Sequence, residues 1–144
     1  VSRSQTLVFV QFACIGFFLI TGSRWAHSIL GLAIELIGIF IGLWAIGVMG
    51  RFQLTVFPEP KQNAKLLESG PYAVIRHPMY TSVLLVCGSL AFDRMELEGV
   101  AVFAVLLFNQ LMKLRYEEKL LRRHFGEPYA EYMQRTSAIL PYIF

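Results

Sequence analysis

Charge is what this 144-residue sequence has least of. Only 16% of its residues are charged while 56% are hydrophobic, and the mean hydropathy is +0.54. That balance excludes an ordinary water-soluble domain. Cysteine is scarce too: Cys14 and Cys87 both sit in apolar runs, with no CxxC or Cys/His cluster. Neither a disulfide framework nor a zinc site is expected, and no metal ligand is assigned. His27, His77 and His124 offer no facing pair within an apolar run, which argues against a bis-histidine haem bundle. The sequence contains no internal repeat, no low-complexity segment and no glycine-rich phosphate loop. Its net charge of +3 is not gathered into a basic stripe interleaved with aromatics, so nucleic acid is not an expected partner.

What the sequence does have is apolar length. A helix needs roughly 20 mostly apolar residues to cross a bilayer, fewer where the bilayer thins. Runs from Thr6 to Thr21, Ile29 to Met49, Met79 to Phe92 and Leu97 to Leu114 are the candidates. The first run lacks a small-residue cleavage site and precedes a second apolar run, so it reads as a retained helix. The expected fold is all-α: one integral-membrane domain over residues 1–144, with about four transmembrane helices and a helical C-terminal tail.

Basic residues set the expected orientation. Arg3, Arg51, Lys61, Lys65, Arg76, Lys113, Arg115, Lys119, Arg122, Arg123 and Arg135 fall on one side, and Arg24 and Arg94 on the other, eleven against two. The positive-inside rule then puts both termini, the 51–77 connector and everything after Lys113 in the cytoplasm. In the connector only KQNAKLLES hints at a helix. In the tail, LMKLRYEEKLLRRHF continues the fourth helix, with Leu111, Leu114, Leu121 and Phe125 near one face. Gly126 is a natural stop, and Pro128 suits the first turn of a short helix that puts Tyr129 and Tyr132 on one face.

Two stretches carry chemistry. In GPYAVIRHPMYTS, Pro78 fits a helix first turn because its missing N–H would be unpaired there anyway, so a helix is expected to start at His77 or Pro78. Arg76 and His77 add charge to the positive end of its dipole, forming a compact anion site or, equally, a simple cationic flank. In RYEEKLLRRHF, Glu117 and Glu118 project about 100° apart, so one is expected to face inward and the other water. A plain solvated helix with Glu118 paired to Arg122 is the alternative.

These residues resemble one family. GPYAVIRHPMY matches G-x-Y-x-x-x-R-H-P-x-Y. The tail from Arg115 to Tyr132, with its paired glutamates, FG and Y-x-x-Y, followed by Leu140-Pro141, matches the second motif of the isoprenylcysteine carboxyl methyltransferase and phospholipid methyltransferase superfamily. Ser82 departs from a glycine frequent there, while Gly88 agrees. The resemblance implies an integral-membrane enzyme using S-adenosylmethionine, held on the cytoplasmic side between residues 70–82 and 113–142. Tyr72, Arg76, His77, Pro78, Tyr80, Glu117, Glu118 and Tyr129 are then the expected cofactor-binding residues. Arg76 and Arg135 are expected to orient an anionic acceptor or the cofactor carboxylate. The acceptor is expected to be a lipid or lipidated molecule from the bilayer, of the isoprenylcysteine carboxylate type, with a phospholipid amine or small thiol as alternatives.

A reading from another class rests on Glu35, a carboxylate inside the second apolar run: a four-helix proton-coupled transporter. Gly38 and Gly42 form a small-xxx-small pair suited either to close packing within the chain or to a homodimer.

Overall fold

The computed structural model describes residues 2–21 and 25–141. Arg24 and the tail from Tyr142 lie outside the described residues, as do the side chains of Arg51 and Arg94. Five α-helices follow in order: α1 Arg3–Thr21, α2 Ile29–Gln53, α3 Pro78–Arg94, α4 Leu97–Phe125 and α5 Glu127–Arg135, with a 3-10 turn at Gly70–Ala73 before α3. Among the described residues there is no strand, only one isolated parallel bridge between Ile75 and Ser137.

The polarity of the bundle is inverted relative to a soluble protein. Phe9, Phe40, Leu43 and Phe108 point outward, whereas Gln11, Thr81, Asn109, Gln110 and Lys113 are buried. Water would penalise such a surface, and lipid would not. α1, the 22 residues of α2 before its break and α4 are long and apolar enough to cross a bilayer; α3 is shorter. At 1.5 Å per residue α4 runs about 43 Å, so its last turns project beyond a hydrocarbon layer of about 30 Å. The fold is the all-α membrane architecture expected.

Pairing within the bundle follows side-chain size and polarity. α2 lies closely along α3, α1 along α4, and α3 and α4 join the two pairs. A methyl group at Gly38 would lie 2.9 Å from the Leu85 Cβ and 3.2 Å from the Ser82 carbonyl oxygen, and one at Gly42 would lie 2.5 Å from the Ser82 hydroxyl oxygen. The small-xxx-small pair therefore serves α2–α3 packing inside the chain. Ser82, the departure from the family's glycine, is accommodated by Gly42 opposite. Between α1 and α4 the contact is partly polar: Asn109 Nδ2 donates to the Leu7 carbonyl at 3.0 Å and Lys113 Nζ to Gln11 Oε1 at 2.7 Å. Lys113 is thus an interior residue and not a flanking cation. Cys14 and Cys87 are free and buried in one apolar cluster with Phe18 and Leu106.

The turn entering α2 is held by carboxylates. Asp93, at the end of α3, accepts from the His27 and Ser28 backbone N–H groups at 2.6 and 2.9 Å. Ser28 caps α2 by accepting from Gly31 N at 3.0 Å. Glu35 is buried and accepts from Ala26 N at 2.9 Å. Its carboxylate ties down the turn, an anchoring role that answers the question its position raised.

At the other end, Gly50 interrupts helical geometry in α2 with φ +68°, and an irregular connector follows. The KQNAKLLES segment forms no helix. Its backbone is instead engaged outside the segment, with Lys65 N donating to Gln53 Oε1 at 2.5 Å near the end of α2. Gly70 has φ +58°, and a Cβ there would meet Val48 Cγ2 at 2.7 Å, so the motif's first glycine lets the 3-10 turn rest on α2.

Gly38→Val is expected to destabilise the protein by about 1–3 kcal/mol, the usual cost of overpacking. Gly42→Ala should cost less, and Ser82→Gly should rescue it. Thermal unfolding in detergent measures all three; no rescue would mean that the Gly42–Ser82 contact does not set helix spacing.

Candidate active site

α3 begins at Pro78, as the proline predicts, with His77 as its N-cap. Residues just before it run alongside the chain leaving α5: Ser137 N donates to Val74 O, Arg76 N to Ser137 O at 2.8 Å and His77 N to Ala138 O at 3.0 Å. The tail is thereby laced to the start of α3. Thr81 Oγ1 extends the lacing by donating to Ile139 O at 2.7 Å.

Arg76 fastens the same junction with its side chain. Its Nε donates to Glu118 Oε1 at 2.8 Å, and Nη1 donates to the Met133 carbonyl at 3.2 Å and to the Thr136 carbonyl. Both partners of the ion pair are largely buried, at 9% and 15% side-chain exposure, so this pair is far from the solvated Glu118–Arg122 alternative.

His77 lies between the two glutamates. Its Nδ1 is 3.7 Å from Glu117 Oε2 and its Nε2 is 3.4 Å from Glu118 Oε1, the latter without hydrogen-bond alignment. Its ring stacks on Tyr80 at 5.3 Å, and the Tyr80 hydroxyl donates to Glu117. The expectation that one glutamate faces water is corrected here. The start of α3 sits between the two directions in which adjacent residues project, and so receives both. The positive end of α3 faces carboxylates supplied by the chain itself.

α5 completes the wall. Gly126 ends α4 and Pro128 lies in the first turn of α5, as expected. Tyr129 and Tyr132 are buried side by side, 5.9 Å between ring centroids. Tyr132 donates its hydroxyl to the Tyr72 carbonyl at 2.6 Å, docking α5 on the 3-10 turn.

The result is a pair of adjoining lobes whose linings share Met49, Thr55, Phe57, Tyr72, Arg76, His77 and Glu117. One lobe is walled by the connector, Leu121, Phe125, Tyr129 and Tyr132. The other reaches into the bundle along Gln11, Pro78, Met79, Tyr80, Val83 and Lys113. Of the expected site residues, Tyr72, Arg76, His77, Pro78, Tyr80, Glu117 and Tyr129 line one lobe or both. Glu118 stands behind them as the partner of Arg76. Arg135 is elsewhere, exposed and paired with Glu68 at 2.5 Å.

His77 Nε2 is turned toward Glu118, but two buried polar atoms around these lobes have no partner: the hydroxyls of Tyr72 and Tyr129. Buried polar groups are normally paired, so these are free to meet a polar ligand. Burial, reinforced by the Glu117 charge, pushes the Tyr72 phenol above its ordinary range, and burial with the charges of Glu118 and Glu117 does the same for Tyr129. Both hydroxyls remain protonated donors at any physiological pH. Sequence reading missed Gln11, Lys113 and the connector residues. Only the Lys113 charge beside an apolar run signalled anything, and a flank explained it.

The sequence pattern of the phospholipid methyltransferase family matches residues 26–128, which include GPYAVIRHPMY, the paired glutamates and Pro128. The chain belongs to this family. It is 33% identical over 121 residues to the probable protein-S-isoprenylcysteine O-methyltransferase of Oryza sativa subsp. indica, covering 83% of this chain and 63% of that protein. To protein-S-isoprenylcysteine O-methyltransferase B of Arabidopsis thaliana it is 30% identical over 123 residues, 83% of this chain and 62% of that one. The cobalt-zinc-cadmium resistance protein CzcN of Cupriavidus metallidurans is 38% identical over 101 residues, 67% of this chain and 45% of that protein. The chain thus spans less than two thirds of the length of these relatives. The family resemblance read from the two motifs is borne out. Among the described residues, no group of three or more His, Cys, Asp or Glu is placed to hold a metal ion.

Arg76→Met is expected to destabilise the protein by about 3–5 kcal/mol, because Glu118 is left as an unpaired buried charge. Adding Glu118→Leu should recover much of that loss, whereas Arg135→Ala, at an exposed pair, should stay within about 0.5 kcal/mol. A double-mutant cycle read by unfolding in mixed micelles decides it: additive costs at positions 76 and 118 would refute the clamp.

Proposed function

We propose that this protein is an integral-membrane methyltransferase that uses S-adenosylmethionine to methylate a lipophilic acceptor of the isoprenylcysteine carboxylate type. The observation that carries the reading is the pair of adjoining lobes, one walled by the tail, the other reaching the bundle interior, both lined by Tyr72, His77 and Glu117. Two substrates that must exchange a methyl group need such a junction.

The tail-walled lobe fits the cofactor chemically. Tyr72, Tyr129, Tyr132, Phe57 and Phe125 give it aromatic faces suited to a cation, and the unpartnered hydroxyls of Tyr72 and Tyr129 suit a ligand rich in polar groups. Glu117 borders both lobes and brings negative charge to their junction. When bound, S-adenosylmethionine supplies a methyl group on a sulfonium, whose transfer breaks one C–S bond, leaves the electron pair on sulfur and forms one bond to the acceptor atom. A carboxylate acceptor has no proton to lose, so the chain needs no general base. Its residues have instead to align the acceptor and exclude water, and the tail laced over the start of α3 supports both tasks. Within that frame Arg76 positions the wall, and Arg135 has no part in the site.

The acceptor route proposed is lateral. α1 and α2 are consecutive but pack against different partners, and the inner lobe is lined by residues of both, Gln11 of α1 and Met49 of α2, which supports entry between them. The positive-inside distribution supports a cytoplasmic position for both termini and the site.

The purified chain in nanodiscs is expected to bind S-adenosylmethionine and its demethylated product by calorimetry. Tyr72→Phe and Tyr129→Phe should each weaken binding about 2- to 10-fold, the scale of a neutral hydrogen bond. Folded protein that binds neither ligand would overturn the reading.

A further inference from the structure

Lys113 is a buried amine with no carboxylate in direct contact among the described residues; the charges of Glu117 and Glu59 act on it only from further away. It is 2% exposed, and among the described residues no carboxylate lies within the 4.0 Å ion-pair distance of its nitrogen. Glu117, one turn further along α4, turns its carboxylate toward Tyr80 and His77, and Glu118 is taken by Arg76. What holds Lys113 in place is neutral: Gln11 Oε1 at 2.7 Å and the face of the Tyr80 ring, 5.1 Å from its centroid. An ammonium has three donors, and these partners leave part of its capacity free. A buried charge is costly and, at membrane depth, marks a functional site by default. Lys113 lines the inner lobe together with Gln11 and Tyr80.

We infer that Lys113, positioned by Gln11 and Tyr80, is the anchor that holds the anionic head of the acceptor, and so selects a carboxylate over an amine. The inference rests on the methyltransferase reading and names the acceptor class for the inner lobe. A cationic amine head group would meet Lys113 as a like charge in a low-dielectric site, whereas a carboxylate gains a charge-assisted hydrogen bond. Gln11 contributes by orienting the ammonium without cancelling it, which a glutamate at that position would do. Methylation of the carboxylate removes the charge that Lys113 holds, so the ester is bound more weakly than the acid and leaves.

The test uses the full chain in nanodiscs, with N-acetyl-S-farnesylcysteine as the carboxylate probe, its carboxamide as the neutral one, and S-farnesylcysteamine as the amine. Wild-type protein is expected to bind the carboxylate about 10- to 100-fold more tightly than the carboxamide, the range of a hydrogen bond to a charged group. Lys113→Met should erase that preference and raise the KM for the carboxylate by a similar factor. Its kcat should change little and S-adenosylmethionine affinity should stay within about twofold, while Lys113→Arg should retain most of the preference. Equal binding of carboxylate and carboxamide by wild-type protein overturns the inference, whether or not Lys113→Met folds. So does a preference for the amine S-farnesylcysteamine, or a Lys113→Met variant with unaltered carboxylate KM. Loss of S-adenosylmethionine binding by the wild type is a different result: it removes the methyltransferase reading itself.

Discussion

The guanidinium of Arg76 is the point at which three distant segments meet. It faces Glu118 on the projecting end of α4, the carbonyls of Met133 and Thr136 at the end of α5, and its own backbone is bonded to Ser137. A lysine would supply the charge but not the planar fork that serves a carboxylate and two carbonyls at once. Together with Tyr132 on the 3-10 turn and the backbone bonds to Ser137 and Ala138, this junction fixes the position of α5 and of the tyrosine wall it carries. The clamp is a positioning device: it builds the chamber and leaves chemistry to what the chamber holds.

The bundle beneath divides its work by pairs. α2 and α3 approach closely because Gly38 and Gly42 clear the way, and this rigid pair carries Pro78 and the start of α3. α1 and α4 are joined partly by polar bonds that place Lys113 at the inner lobe. Each early helix pairs with a later one, so α1 and α2 have different partners. A membrane protein gains little hydrophobic driving force for helix association, so small residues and polar bonds do the sorting.

Much of this was legible in the sequence, where local rules decide. Apolar length gave the helices, Pro78 the start of α3, Gly126 and Pro128 the break before α5, and the two motifs the family. What failed depended on which element lies beside which. The Glu117/Glu118 pair was expected to split between core and water, and only the start of α3 standing between them explains why both turn inward. KQNAKLLES has acceptable helix propensity, yet its backbone is engaged from outside, by Gln53 near the end of α2. Lys113 looked like a flank because charge beside an apolar run usually is one; its burial depends on Gln11, 102 positions away. Arg135 has the residue type for an anion site, but nothing in the sequence says that its helix turns it toward Glu68.

The tail, clamped to the start of α3, walls the lobe proposed to hold the methyl donor. Hydrogen–deuterium exchange of the chain in nanodiscs, with and without S-adenosylhomocysteine, reads that wall. Ligand-dependent protection is expected in residues 70–77 and 127–139, and none in the 25–35 turn held by Asp93 and Glu35. Ligand binding that leaves both tail segments unprotected, or that protects the 25–35 turn instead, would contradict the proposed placement of the donor.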